Sequence, residues 1–428
     1  MLRQLLSATI CTIIASCFFT SYLPAADWTQ FRGPASAAVG QAENLPTQWD
    51  ATKNITWKTA LPGLGTSSPI TLNDRIYLTC YSGYAAEAAN PGDMQKLMRH
   101  VVCLDRKTGK QIWSREFKPE LPESEYRRGN DSWHGYSSST PVTDGKHLYV
   151  FFGKSGVYCL DLEGKQVWRA KVGSGTRGWG SASSLLLHKN LVIVNASVES
   201  EALIAFDKTT GKEVWGVSGI RGCWNSPIIV NLPGDKAELV ISIPQKVLGF
   251  DPATGKELWD CDGIPDRGYV CPSVVAHEGV VYAIGGRSNT ALAVRAGGKG
   301  NVTDSHLLWK TNKGSNVCSP VYYEGHLYWV HERSGTANCL DAKTGEVKFQ
   351  QRLEPRPGIV YSSSIIADGK WFCVSQHNGT YVMDAKPAFK LLSHNAFSEE
   401  SSRTNACPIV HNNQLLIRSD KFLYCIGN

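Results

Sequence analysis

The chain has 428 residues, a formal net charge of +6, 42% hydrophobic and 19% charged residues, with 40 glycines and 20 prolines. That balance excludes a disordered chain and suits a globular fold of many short strands and turns. The modest positive charge is not gathered into Lys/Arg runs, so nucleic acid is not an expected partner.

Residues 1–26 open with Arg3 and the apolar run LLSATICTIIASCFF, then SYLPAA before a polar DWTQ. This is the pattern of a secretory signal peptide cleaved near Ala25 or Ala26, and its apolar stretch falls short of the about 20 residues a spanning helix needs. Export to the periplasm or cell envelope is expected, with no membrane span. Within the run, IASC resembles a lipobox and makes Cys17 a candidate lipid anchor, although the FFTSYL that follows is more apolar than a lipoprotein tether. Residues 27–54 read as an N-terminal extension, and 55–428 as one repeat domain.

From there the chain is periodic. The string AFDKTTGKEVW at 205–215 aligns with CLDRKTGKQIW at 103–113, CLDLEGKQVW at 159–168, GFDPATGKELW at 249–259 and CLDAKTGEVKF at 339–349, with weaker copies from Ala293, Val382 and Cys425. Successive copies start 43 to 56 residues apart. Each period also carries an earlier small-residue strand, often ending in Ser-Pro or Cys-Pro: GTSSPITL, YSSSTPVT, GSASSLLL, WNSPIIV, VCPSVVA, VCSPVYY, YSSSIIA and NACPIVH. Eight units of four short antiparallel strands predict an all-β, eight-bladed β-propeller. The last unit supplies three strands and stops, while NITWKTALPG near the start carries Trp57 in the outer-strand place. The two together should complete blade eight and remove the free edges.

The recurring Thr-Gly sets a tight turn, because glycine supplies the positive φ such turns need. The tryptophan after it then lies over the neighbouring blade, and the residues expected to dock this way are Trp57, Trp113, Trp168, Trp215, Trp259 and Trp309. Eleven cysteines follow residue 26, an odd number, so at least one thiol is unpaired. No CxxC pair and no zinc spacing is present, so no metal site is expected.

The motif A-x-D-x-x-T-G-x-x-x-W resembles the tryptophan-docking repeat of the pyrroloquinoline-quinone (PQQ) repeat propellers, over about residues 55–428. DWTQFRGP is also similar to the start of many exported bacterial proteins of that family. Its catalytic branch, the quinoprotein dehydrogenases, implies PQQ with calcium held by acidic and amide side chains, an aspartate base and adjacent cysteines stacked on the cofactor. This chain has no adjacent cysteines, and Asp262, Asp266 and Glu199 are scattered, so no catalytic or calcium residue carries over. The non-catalytic branch, similar to the BamB scaffold lipoproteins, implies a monomeric propeller that presents loops to a protein partner. That reading is preferred, with a PQQ-dependent alcohol or sugar dehydrogenase as the alternative.

Just before the inner strands, several units carry Arg-Gly with an aromatic. RRGNDSWHGY supplies Arg128, Trp133, His134 and Tyr136, and RGWG supplies Arg177 and Trp179. RGCWN supplies Arg221, Trp224 and Asn225, RGY supplies Arg267 and Tyr269, and blades seven and eight offer Tyr361 and Arg403. In a propeller these segments converge on the axis, so they predict a basic, aromatic-rimmed funnel for a planar or anionic ligand or a partner's carboxylate-bearing loop. The competing expectation is structural: the same arginines and rings bridge neighbouring blades, and His134 is a bonded turn residue.

Overall fold

In the first full period, the inner strand Ile70–Leu72 pairs with Arg75–Ser82, which pairs in turn with Met98–Asp105 and Gln111–Phe117, all antiparallel. The second and third strands are buried along their length, whereas the outer strand alternates, burying Trp113 and exposing its neighbours. The same four-stranded sheet recurs at 142–170, 186–218, 228–262, 275–311, 321–352, 365–395 and 409–426. This computed structural model, which describes residues 27–87, 89–126, 134–177, 179–266, 268–397 and 401–427, is therefore an eight-bladed propeller. The signal-peptide segment and Cys17 lie outside the described residues.

Closure follows the sequence expectation. Strand Ile55–Ala60 pairs antiparallel with Phe422–Ile426, placing Trp57 opposite Cys425, so the outer strand of blade 8 comes from the start of the domain. The core is a set of apolar seams between blades, lined by second- and third-strand residues such as Tyr77, Val150, Ile193 and Leu340.

The seams explain the repeated motif. Trp57, Trp113, Trp168, Trp215 and Trp309 each donate the indole N–H to a carbonyl in the next blade's turn: Arg106, Leu162, Lys208, Pro252 and Ala342, at 3.0 to 3.2 Å. Each ring lies flat against that turn's glycine. At Gly211, with φ of 71°, an added Cβ would sit 2.7 Å from the Trp168 ring, so both the conformation and the close approach require glycine. The turn itself is fixed by its aspartate: Asp207 Oδ1 accepts from Thr210 N at 2.8 Å and Thr210 Oγ1 at 2.9 Å. Hydrogen bonds from the Thr210 backbone and hydroxyl hold that carboxyl below its ordinary pKa.

Trp259 departs from this scheme. Blade 5 has RAGGKGN where blades 1, 3, 4 and 6 have the Asp-Thr-Gly turn, and a short strand, Gly300–Asn301, runs parallel to the outer strand of blade 4. Trp259 is fully buried and donates instead to Glu238 in its own blade at 2.7 Å.

Residues 27–54 are threaded through the fold. The backbone carbonyls of Trp28 and Thr29 accept from Thr71 and Thr143, in the inner strands of blades 1 and 2. Arg32 then donates to the Pro320 carbonyl beside blade 6, and Val39–Gly40 adds a parallel strand to the inner strand of blade 7. The segment thus crosses the propeller axis. It leaves between blades 7 and 8, where Glu43 N bonds Asn413, Leu45 N bonds Asp368 and Trp49 N bonds Asn395.

Candidate functional site: an axial funnel

The small residue two positions before each inner strand has one repeated task. Ser68 N donates to Thr140 Oγ1, Thr140 N to Ser184 Oγ, Ser184 N to Ser226 Oγ and Ser226 N to Ser273 Oγ, all at 2.8 to 3.0 Å. Ser273 N continues to Ser319 Oγ, and Ser319 N to Ser363 Oγ, both at 3.0 Å. Ser363 N reaches Cys407 Sγ at 3.2 Å, and the Cys407 thiol meets the Ser68 hydroxyl, closing the ring. The eight inner strands are therefore tied by a continuous belt around the axis, one link per blade. A larger side chain at these positions would block the channel, and an apolar one would leave the neighbour's N–H without an acceptor.

Above the belt opens a cavity of about 250 Å³, lined by all eight belt residues together with Phe31, Thr66, His134, Ser138, Trp179, Trp224, Tyr269, Cys271, Arg333, Tyr361 and Asn405. Phe31 comes from the segment that crosses the axis, so the channel is a blind funnel at that end. The wall is organised by three rings from the loops entering blades 3, 4 and 5. Trp179 lies 5.2 Å from Trp224 at 60° and 4.9 Å from Tyr269 at 85°, the tilted and edge-on arrangements that aromatic quadrupoles favour. Trp224 Nε1 donates to the Gly180 carbonyl at 2.8 Å, Asn316 donates to the Tyr269 hydroxyl at 2.5 Å, and the Arg287 guanidinium lies 5.4 Å above the Tyr269 ring. These bonds fix the rings before any ligand arrives.

Positive charge reaches the funnel from Arg333, in the hairpin loop of blade 6. Burial pushes the Tyr361 hydroxyl up to about 12, against the opposing pull of Arg333. His134 also faces the cavity, its Nδ1 at 2.6 Å from Ser138 Oγ. Among the described residues no aspartate or glutamate lines the cavity, although the buried carboxyl of Glu332, next to Arg333, lies close enough to act on Tyr361 and Cys271.

The expected funnel residues divide accordingly. Trp179, Trp224, Tyr269 and Tyr361 stand on the wall. Arg177 is exposed and pairs with Glu201 at 3.2 Å, Arg403 pairs with Asp420 at 2.8 Å, and Arg221 is exposed; none of the three lines the cavity. The difference is physical: acidic neighbours on the adjoining hairpins draw Arg177 and Arg403 away from the axis. Asn225 is buried and structural, donating to the Ser242 carbonyl at 2.7 Å. Tyr136 packs with Tyr81 and Tyr84 and donates to the Ser124 carbonyl. Arg128, Trp133 and Arg267 lie outside the described residues. Sequence reasoning did not find Arg333, Phe31 or the belt. Only the belt had a visible signal, the recurring Ser-Pro strand.

The described residues do not fit a calcium-held quinone. Calcium takes six to eight oxygens, including carboxylates, and the described lining residues offer no carboxylate. Asp262 is exposed, Asp266 accepts from the backbone of Gly268 and Arg287, and Glu199 is buried against Ser181. Among the described residues no group of three or more His, Cys, Asp or Glu side chains converges as a metal site. The eleven cysteines from Cys80 to Cys425 are free thiols, mostly buried as small apolar side chains.

No curated protein matches the sequence at a significant level. Solved structures do match the fold. BamB from Moraxella catarrhalis is 12% identical, with 87% of this chain and 97% of that chain covered and a TM-score of 0.58. The computationally designed Ika8 protein is 13% identical over 86% and 98% of the two chains, with a TM-score of 0.58. The quinohemoprotein alcohol dehydrogenase ADHIIG from Pseudomonas putida HK5 is 10% identical over 94% and 80%, with a TM-score of 0.59. At these identities the likeness establishes the propeller alone. The profile of the family described as outer membrane protein assembly factor BamB matches residues 98–351, well over half of the chain, and the chain belongs to that family.

Proposed function

We propose that the protein is an exported, non-catalytic scaffold of the cell envelope whose axial funnel binds a loop of a protein partner or a small planar, anionic ligand. The observation that carries this reading is the fixed cluster of Trp179, Trp224 and Tyr269 on the wall of a cavity that holds Arg333 and, among the described residues, no acidic lining side chain. Rigid rings present contact area at little entropic cost, and an arginine at their rim selects a carboxylate. No helix among the described residues is long and apolar enough to cross a membrane.

The test is capture of the partner from envelope extracts by the purified protein. Trp179→Ala combined with Arg333→Ala should abolish capture while leaving the melting temperature within a few degrees of wild type. Undiminished capture by that variant would remove the funnel from the function. Titration with PQQ and calcium decides the competing reading when paired with an assay of dye-linked alcohol and sugar oxidation: bound quinone with turnover would make the protein a dehydrogenase, and neither would end that reading.

A further inference from the structure

The belt has unspent hydrogen-bonding capacity. A hydroxyl carries one donor and two acceptor lone pairs. In Thr140, Ser184, Ser226, Ser273, Ser319 and Ser363 one lone pair receives a backbone N–H; the Ser363 hydroxyl turns to the Cys407 thiol, and among the described residues none of the other five hydroxyls donates to a protein acceptor. Their side chains are more than nine-tenths buried, yet all six line the funnel. Five uncommitted O–H groups are thus held around one axis, each made a stronger donor by the N–H bond that its oxygen accepts.

A second feature points the same way. Arg32 is 2% exposed, bonds the Pro320 carbonyl next to Ser319, and lies close enough to the Cys407 thiol for its charge to act on it. Its guanidinium therefore sits against the belt between blades 6 and 8. Its Nη1 has no hydrogen-bond partner, and no carboxylate pairs with it among the described residues. On the other side of blade 8, the fully buried Arg418 donates to the carbonyl and hydroxyl of Ser67, next to belt residue Ser68. The buried Asp420 carboxyl lies near enough to act on Arg418, so of the two it is Arg32 whose buried charge has no acidic neighbour among the described residues; such a charge is costly, and a negative group on the axis would offset it. A cation there would face Arg32 below and Arg333 on the wall.

We infer that the hydroxyl belt is an anion site, which seats a carboxylate at the narrow end of the funnel while the aromatic wall holds the group that bears it. The inference rests on the reading that the funnel receives a ligand, and it names the chemistry of that ligand: a carboxylate attached to a flat apolar body. The carrier is either a free aromatic acid or an acidic side chain of a partner loop flanked by an aromatic residue.

The probes are benzoate, its neutral counterpart benzyl alcohol, and an end-blocked Phe-Asp-Gly peptide, titrated into the full mature chain by calorimetry and tryptophan emission. Benzoate should bind at one site at least about tenfold more tightly than benzyl alcohol, the difference expected for charge-assisted bonds. Tighter binding of the peptide than of benzoate would assign the carboxylate to a partner loop, and the reverse to a free acid. Ser226→Cys with Ser273→Cys keeps an acceptor for each N–H, as Cys407 does, but weakens the donors; it should cost about tenfold in benzoate affinity and leave benzyl alcohol unaffected. Should that variant fail to fold, wild-type crystals soaked in bromide carry the test, with an anomalous peak expected on the axis within hydrogen-bonding distance of the belt. Equal binding of benzoate and benzyl alcohol would overturn the anion site while sparing the funnel. Binding of neither probe, or an axis without bromide, would also overturn the anion site, and the capture experiment would then decide the funnel separately.

Discussion

The indole nitrogen of Trp259 donates to the Glu238 carboxylate at 2.7 Å, and the Gly297 backbone N–H reaches the same oxygen at 3.1 Å. One acidic side chain thereby stands in for the turn carbonyl that blade 5 lacks. Glu238→Ala would leave two inward donors unpaired at about 1 to 3 kcal/mol each, so a loss of about 2 to 5 kcal/mol is expected in urea unfolding. Glu238→Gln retains an acceptor and should recover most of it. Equal unfolding midpoints for Glu238→Ala and wild type would contradict the substitute-acceptor role.

At an ordinary seam the same logic applies to the tryptophan itself. Trp215 packs on the Gly255 turn and bonds the Pro252 carbonyl at 3.2 Å. Trp215→Ala removes both contacts and should destabilise the fold by about 3 to 5 kcal/mol. An unchanged melting temperature would mean that the ring does not hold the seam.

Glu199 supplies a pH dependence. Burial pushes its carboxyl up to about 7 from an ordinary 4.5, with the Ser181 hydroxyl opposing the shift. The folded state then holds the proton more tightly than the unfolded chain, so this contribution favours folding at acid pH and is lost as pH rises from about 4.5 through about 7. Comparing urea midpoints at about pH 5 and about pH 8 should show wild type losing stability relative to Glu199→Gln. Parallel profiles for the two proteins would rule Glu199 out as the source.

The N-terminal crossing segment depends on Trp28, which is 1% exposed and lies so close to Gly33 that an added Cβ would come within 2.7 Å of its ring. Trp28→Ala should cost about 3 to 5 kcal/mol and expose the base of the funnel. Hydrogen exchange at the inner strands of blades 1 and 2, whose Thr71 and Thr143 amides bond the carbonyls of Trp28 and Thr29, reads this directly. Unaltered protection there would show that the segment is an appendage rather than part of the ring.

How far the sequence could be read follows from where each interaction is encoded. Blade number, strand order and closure by Trp57 were legible because they depend on local turns and on a period that repeats. The rings of Trp179, Trp224 and Tyr269 were placed near the axis because loop position follows from the period as well. Side-chain direction within those loops was not legible: whether Arg177 faces the axis or Glu201 depends on a hairpin 24 residues away. Arg333 was missed for the same reason, since it reaches the funnel from a hairpin rather than from an Arg-Gly loop. The Ser-Pro strands were seen as landmarks, but each hydroxyl's partner is an amide one blade back, a relation that appears only once blades are in register.

The pairing of Ile55–Ala60 with Phe422–Ile426 has a consequence for biosynthesis. The first strand of the ring must wait for the last, so almost the whole domain is synthesised before the circle can be sealed. A chain cut short by even the final strand would leave Trp57 without its partner strand and both end blades with raw edges, inviting proteolysis. Sealing of the ring by its last strand is thus built into the architecture as a condition for its stability, which gives a quality-control protease a simple means of telling closed rings from open ones.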